Sequence, residues 1–266
     1  MEDEGMKDKL AVSIDGFNVG KISVDRYNKD MDSKIDKVII KDVINNEVRG
    51  DYSGKDVEIY VNGYIAVEDL KCRNLIMHGE SIHIELNRST IDNLSFDKEA
   101  IVIADIFGST ILDTMKIEYM TKQVVVYCSF VNVLDIQNSD DGCMVDIDIS
   151  AVRELRVKTE HNLEVTVADS LICEMDVLGK KKIVLSTSGS LGESILKASV
   201  QADKFEYCGF NEIDEIDFKG LKHGLRLYTI GHLDDKYFNK RKQVVKVKAN
   251  KISSVGNNLR EIVKIN

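Results

Sequence analysis

Val145-Asp146-Ile147-Asp148-Ile149-Ser150-Ala151-Val152-Arg153-Glu154-Leu155-Arg156-Val157 is answered twenty residues on by Val165-Thr166-Val167-Ala168-Asp169-Ser170-Leu171-Ile172-Cys173-Glu174-Met175-Asp176-Val177. In both stretches apolar residues stand five and three positions before the serine and two, five and seven after it. Pairs two apart are strand segments, because side chains alternate faces with period two. A step of three between pairs is a corner that turns the next strand's apolar face inward again. A helix would need apolar residues at i, i+3, i+4 and i+7, which this frame does not supply.

The serine returns as Ser89, Ser109, Ser129, Ser150, Ser170 and Ser190, at spacings of 20, 20, 21, 20 and 20. A fixed period near 20 with alternating apolar positions is the signature of a β-solenoid, one coil per repeat. The frame extends upstream to Leu70 (with Ile65, Val67, Cys72, Leu75 and Met77), to a poorer match at Val43 and to Phe17 (with Val12, Ile14, Val19 and Ile22). Downstream it extends to Phe210, Ile230 and Asn250. The expectation is an all-β, single-stranded parallel β-helix of about 20 residues per coil and roughly 12 coils, a rod of roughly 55 Å. Residues 1–10 read as a polar tail, 11–257 as the solenoid and 258–266 as a terminal strand or cap; the segment from Asn28 to Lys55 breaks the period.

Large apolar residues share the serine position (Phe17, Leu70), so that position faces inward. The serines are expected to be buried and stacked, each hydroxyl donating to a neighbour one rung away, as a buried polar group requires. No base recurs beside them, so a row of nucleophiles is not indicated. There are no prolines, where average usage would give roughly 13; strands paired on both edges have few places that tolerate a missing N–H.

Composition narrows the function classes. The start, Met1-Glu2-Asp3-Glu4-Gly5-Met6-Lys7, is acidic and polar, and no run approaches 18 apolar residues; neither a signal peptide nor a membrane span is expected. Five cysteines (Cys72, Cys128, Cys143, Cys173, Cys208) without C-x-x-C spacing suit a reducing, cytoplasmic or virion-associated setting. No cofactor motif is present: no P-loop, no G-x-G-x-x-G, no G-x-S-x-G. The histidines (His78, His83, His161, His223, His232) lack metal-ligand spacing, so no metal and no cofactor are expected. The loop Gln137-Asn138-Ser139-Asp140-Asp141-Gly142 is oxygen-rich but reads as a plain turn.

Two constellations stand out. Glu154 and Glu174 share a slot in adjacent coils, with Arg153 beside the first and Glu193 near register above; stacked carboxylates are a weak candidate for acid/base chemistry on a polysaccharide. From Lys236 to Lys251 there are seven cations and no acid, against a net charge of −9 for the chain. Lys240, Arg241, Lys242, Lys246 and Lys248 are the candidate docking residues for an acidic partner or a second copy. Nucleic acid is disfavoured by the acidic remainder, and no membrane contact is expected. Charge stripes elsewhere read as complementary, with Asp135, Arg156 and Asp176 in one slot and Asp146, Thr166, Ser186, Glu206, Arg226 and Lys246 in another.

On these repeats the chain resembles the parallel β-helix class at large, which includes the cytoplasmic bactofilins, whose cores polymerise end to end, and phage and adhesin-like solenoids. Bactofilin cores are shorter and glycine-rich, whereas these repeats carry serine, so no family residue is transferred. The expected function is a non-enzymatic scaffold or protein-interaction module, self-assembly being one form of it. The alternatives are a polysaccharide lyase or hydrolase using Glu154 and Glu174, and an acidic DNA mimic.

Overall fold

The computed structural model describes residues 9–14, 17–23, 36–41, 43, 46–137, 139–188, 193–209, 212–219, 225–229 and 249–252. It is an all-β parallel solenoid of about 8 turns, each of about 20 residues. A turn has two strand segments. The first face stacks Ser81–Asn87, Ile101–Phe107, Met120–Tyr127, Ser139–Asp148, Leu163–Ala168 and Lys182–Ser188, all parallel. The second face stacks Thr90–Phe96, Thr110–Ile117, Phe130–Gln137, Ala151–Thr159, Leu171–Gly179 and Glu193–Gln201 in the same way. Earlier in the chain, Gly63–His78 runs through both faces as one strand, bending without a break.

The inward frame holds. Ile84, Leu86, Ile91, Leu94, Val124, Val126, Val131, Leu134, Ile136, Val145, Ile147, Val152 and Leu155 are all buried. One inward row lies beyond the frame read from sequence, seven residues before the serine: Ile82, Val102, Cys143, Leu163 and Ile183 are buried, and a bulge brings Thr121, eight before Ser129, into the same row. Burial pushes the Cys72 and Cys143 thiols up to about 12, which keeps both protonated and inert.

The corner between the faces explains the serine. The residue just before each ladder position is left-handed: Asp69, Arg88, Gly108, Cys128, Ile149 and Asp169 have φ between 43° and 56°. Its N–H still reaches the next rung, as from Arg88 to the Phe107 carbonyl and from Cys128 to the Asp148 carbonyl. The ladder residue's own N–H meets a serine hydroxyl instead of a carbonyl. Leu70 N–H donates to Ser89 Oγ, Ser89 to Ser109, Ser109 to Ser129, Ser129 to Ser150 and Ser150 to Ser170, at 2.9–3.0 Å. Each hydroxyl in turn donates to the carbonyl two residues back, as Ser129 Oγ does to Tyr127 O at 2.7 Å. From Ser109 onward it also reaches a carbonyl one rung earlier. The hydroxyls therefore do not form a chain among themselves. Each one satisfies main-chain groups that a sharp corner would otherwise strand in the core.

Several expectations need correction. Among the described residues the turns number about 8, where roughly 12 coils were expected for the chain. Lys9–Ile14 and Phe17–Ser23 pair antiparallel with each other, and the latter pairs antiparallel with Lys37–Lys41, so Phe17 does not head a coil. A two-residue connection cannot carry a chain round a coil to parallel pairing, but it suits a hairpin. Within residues 28–55, Lys37–Lys41 and the start of Glu47–Tyr60 are regular parallel strands. Gly50, not Val43, takes the ladder corner opposite Asp69 and Leu70; a Cβ there would lie 2.6 Å from the Tyr52 ring. In the Ser109 turn one extra residue puts Leu112 outside and moves the buried pair to Met115 and Ile117. After Ser170 the register advances by 23: Ile195, Ala198 and Val200, rather than Gly192, Ile195 and Lys197, stack on Ile172, Met175 and Val177. Ser190, Phe210, Ile230 and residues 258–266 lie outside the described residues.

Candidate functional site

Outward residues form columns, since each strand stacks on the same position of the next. On the second face one column runs Ser95, Lys116, Asp135, Arg156, Asp176 and Ser199. Its neighbour runs Thr114, Val133, Glu154, Glu174 and Lys197, and the register continues to Glu215 and Lys251. Glu154 and Glu174 are thus in adjoining rungs, but Lys197, not Glu193, stands above Glu174; Glu193 pairs with Glu212. Glu154 bonds Arg156 and lies 3.7 Å from Arg153. Two guanidinium groups on its own strand thereby offset the charge that stacking would set against Glu174.

The oxygen-rich segment is strand rather than plain turn, since Asp140 and Asp141 belong to Ser139–Asp148. Asn162 donates to Asp141 Oδ1 from its main-chain N–H at 3.3 Å and its side chain at 2.8 Å, which holds that carboxyl below the usual range. Lys240, Arg241, Lys242, Lys246 and Lys248 lie outside the described residues. Glu206 is in register with Arg226, but in the column of Val184; the slot of Asp146, Thr166 and Ser186 continues to Cys208. A shift of two residues relative to the assumed period accounts for the change.

A shallow depression of about 400 Å³ is lined by Tyr60, Val61, Asn62, His78, Gly79 and Asp97. His78 Nδ1 is 2.8 Å from Asp97 Oδ1, its Nε2 is 3.6 Å from Glu58 Oε2, and the Tyr60 ring stacks on it at 4.3 Å. The imidazole is thus hydrogen-bonded to Asp97 through Nδ1, while its buried Nε2 faces Glu58 without a hydrogen-bond partner. Nearby, His83 Nε2 is 2.8 Å from Asp105, and Tyr64 donates to Glu85 at 2.6 Å, which pushes the phenol up to about 12. Among the described residues, no group of three or more histidines, cysteines or acids is placed to hold a metal ion.

The first face is different in kind. Its three outward columns run His83, Ile103, Gln123, Met144, Glu164; then Glu85, Asp105, Val125, Asp146, Thr166; then Asn87, Phe107, Tyr127, Asp148, Ala168. Over three successive rungs, Ile103, Phe107, Val125, Tyr127 and Met144 therefore turn apolar surface outward. Around the corner Ile149 and Phe130 continue it, exposed by 50% and 39%. The Phe107 and Tyr127 rings meet edge to face at 6.2 Å. Asp146 sits against Val125, and burial raises its carboxyl above the ordinary range, with a Thr166 hydrogen bond opposing. The rungs on either side return to polar residues, His83, Glu85 and Asn87 below, Glu164 and Thr166 above.

Compared with known proteins, the chain matches no family model, no curated protein and no solved structure. What the structure defines is its class, a parallel β-solenoid with a serine-lined corner. Attention to stacked carboxylates passes over the apolar face, whose signal was the run of outward apolar residues at 103, 107, 125, 127 and 144.

Proposed function

We propose that this solenoid is a non-enzymatic scaffold that binds a protein partner through its first face. The observation that carries the reading is the cluster of outward apolar residues Ile103, Phe107, Val125, Tyr127 and Met144 on three consecutive rungs, interspersed with Asp105, Gln123, Asp146 and Asp148. A water-facing sheet normally alternates apolar inside and polar outside, and a contiguous apolar patch with a polar rim is the usual mark of an interaction site. Tyr, Phe and Met, three of the residue types enriched in interfaces, supply much of it. The regular coil holds the patch on rigid strands, which limits the ordering cost of binding.

The test is affinity capture with the wild-type chain, a Val125→Lys variant and a Glu154→Ala/Glu174→Ala variant. Lys at 125 would stand between Asp105 and Asp146, so the fold tolerates it while the apolar surface is broken. The expected result is a stoichiometric protein partner, kept by the double alanine variant and lost by Val125→Lys. Retention of the partner by Val125→Lys, or a glycan-cleaving activity lost with the two glutamates, would overturn the reading.

A further inference from the structure

We infer that the first face takes a basic segment from a second copy of the same chain, residues 236–248, so that copies join head to tail. The inference rests on the reading of that face as a docking surface and adds its occupant.

The face carries two chemistries at once. Its centre is apolar, with Val125, Tyr127, Phe107 and Met144. Its charged positions are chiefly acids: Asp105, Asp146 and Asp148 stand in the same columns, with Lys122 at the strand bulge beside them. Two such faces pressed together would set acid against acid, and Asp146 is already partly removed from water. A symmetric face-to-face dimer is therefore disfavoured, because like charges brought together at an interface oppose association.

The complementary chemistry is in the sequence itself. Residues 236–248 read Lys-Tyr-Phe-Asn-Lys-Arg-Lys-Gln-Val-Val-Lys-Val-Lys, six cations and no acid, interleaved with Tyr237, Phe238, Val244, Val245 and Val247. Apolar side chains for the centre and cations for Asp146 and Asp148 come in one short stretch. Just beyond it, Ala249–Ile252 pairs with Glu212–Lys219 far along the stack from the acidic face. The face and the strand that follows the segment therefore stand several turns apart, so the two complementary surfaces are different ones. A contact between unlike surfaces is heterologous and propagates unless it closes into a ring.

That asymmetry gives a test which an isologous contact cannot pass. Two variants each spoil one surface: Val125→Lys on the face, and Lys240→Glu/Arg241→Glu/Lys242→Glu on the segment. In sedimentation velocity at low salt the wild-type chain is expected to associate, and to dissociate as salt rises, since exposed charge attraction is screened. Each variant alone is expected to stay monomeric. Their mixture is expected to form a dimer and nothing larger, because only one good face and one good segment remain. As a probe independent of the folding of the charge-reversed variant, a fluorescent synthetic peptide of residues 236–248 is expected to bind wild-type protein and lose that binding to Val125→Lys.

A monomeric wild-type chain at low salt, a mixture that stays monomeric, or a peptide that binds both proteins alike would overturn the inference. If the chain is monomeric while Val125→Lys still loses a captured partner, the docking face survives and the second copy does not. If Val125→Lys changes neither, both readings fail together.

Discussion

The two faces of the coil share one interior and differ outside. On both, inward residues are chiefly Val, Ile and Leu, and the turn between them is closed by the same serine hydroxyls. On the second face the outward columns mix sign, Lys116 to Asp135 to Arg156 to Asp176, which suits a surface that stays in water. On the first, Ile103, Phe107, Val125, Tyr127 and Met144 interrupt that pattern over three rungs. The interior is what makes the chain a solenoid, and the departure outside is what the proposed docking role rests on. The contrast can be broken or sharpened by substitutions that touch one side of it at a time.

The largest effect is expected from the shared interior. Leu134 is fully buried between Met115 and Leu155, and Leu134→Ala should cost about 2–5 kcal/mol in urea unfolding, the transfer and cavity terms together. Ser129→Ala comes next. It removes the acceptor for the Ser109 N–H and the donor to Tyr127 O, and should cost about 1–3 kcal/mol by stranding buried main-chain groups. A neutral result would mean that the serine is chosen for size alone.

Ile149→Gly should work in the opposite direction. Ile149 is half exposed, β-branched and held at φ 47°, a conformation that costs an L-residue roughly 1–2 kcal/mol, while Gly108 fills the same corner position two turns away. After the entropy cost of glycine, a gain of about 1 kcal/mol is expected, read as a higher urea midpoint. Asp146→Asn should give the smallest change, visible in pH dependence. Because burial raises this carboxyl in the folded chain, the native state holds its proton more tightly than the unfolded one. Stability should therefore fall as pH rises from about 4, the unfolded aspartate range, through the raised folded value. The asparagine variant should lose that part of the slope; an unchanged slope would show that the apolar surroundings do not desolvate the acid.

Much of this was legible in the sequence because the inward rows obey period two and the corner repeats with the coil. Leu70 with Ile65, Val67, Cys72, Leu75 and Met77 is buried in the order the spacing predicts. The failures are of register. Three inserted residues after Ser170, one at Leu112 and the substitution of Gly50 for a side chain at the corner all shift phase without changing local pattern. Apolar alternation alone does not separate a coil from a hairpin either, which is why the frame around Phe17, from Val12 on, reads as a turn of the solenoid, and Lys9 and Leu10, read as tail, are part of the same hairpin. The left-handed corner was illegible for a plain reason. Only Gly108 among its six residues advertises positive φ; Arg88, Cys128 and Ile149 are held there by the hydrogen bonds of the stack. The outward apolar cluster at 103, 107, 125, 127 and 144 was overlooked because such residues gain meaning only when adjacent rungs align them.

The most direct test of the docking face is hydroxyl-radical footprinting of Tyr127 against Tyr60. Both are exposed by 40% in the isolated chain, so they serve as matched reporters, one on the apolar face and one by the histidine depression. Labelling should be similar for the two in dilute purified protein. In the assembled or partner-bound chain the account predicts protection of Tyr127, with Met144 beside it, and unchanged labelling of Tyr60. Equal labelling of Tyr127 in both states, or protection of Tyr60 alone, would contradict it.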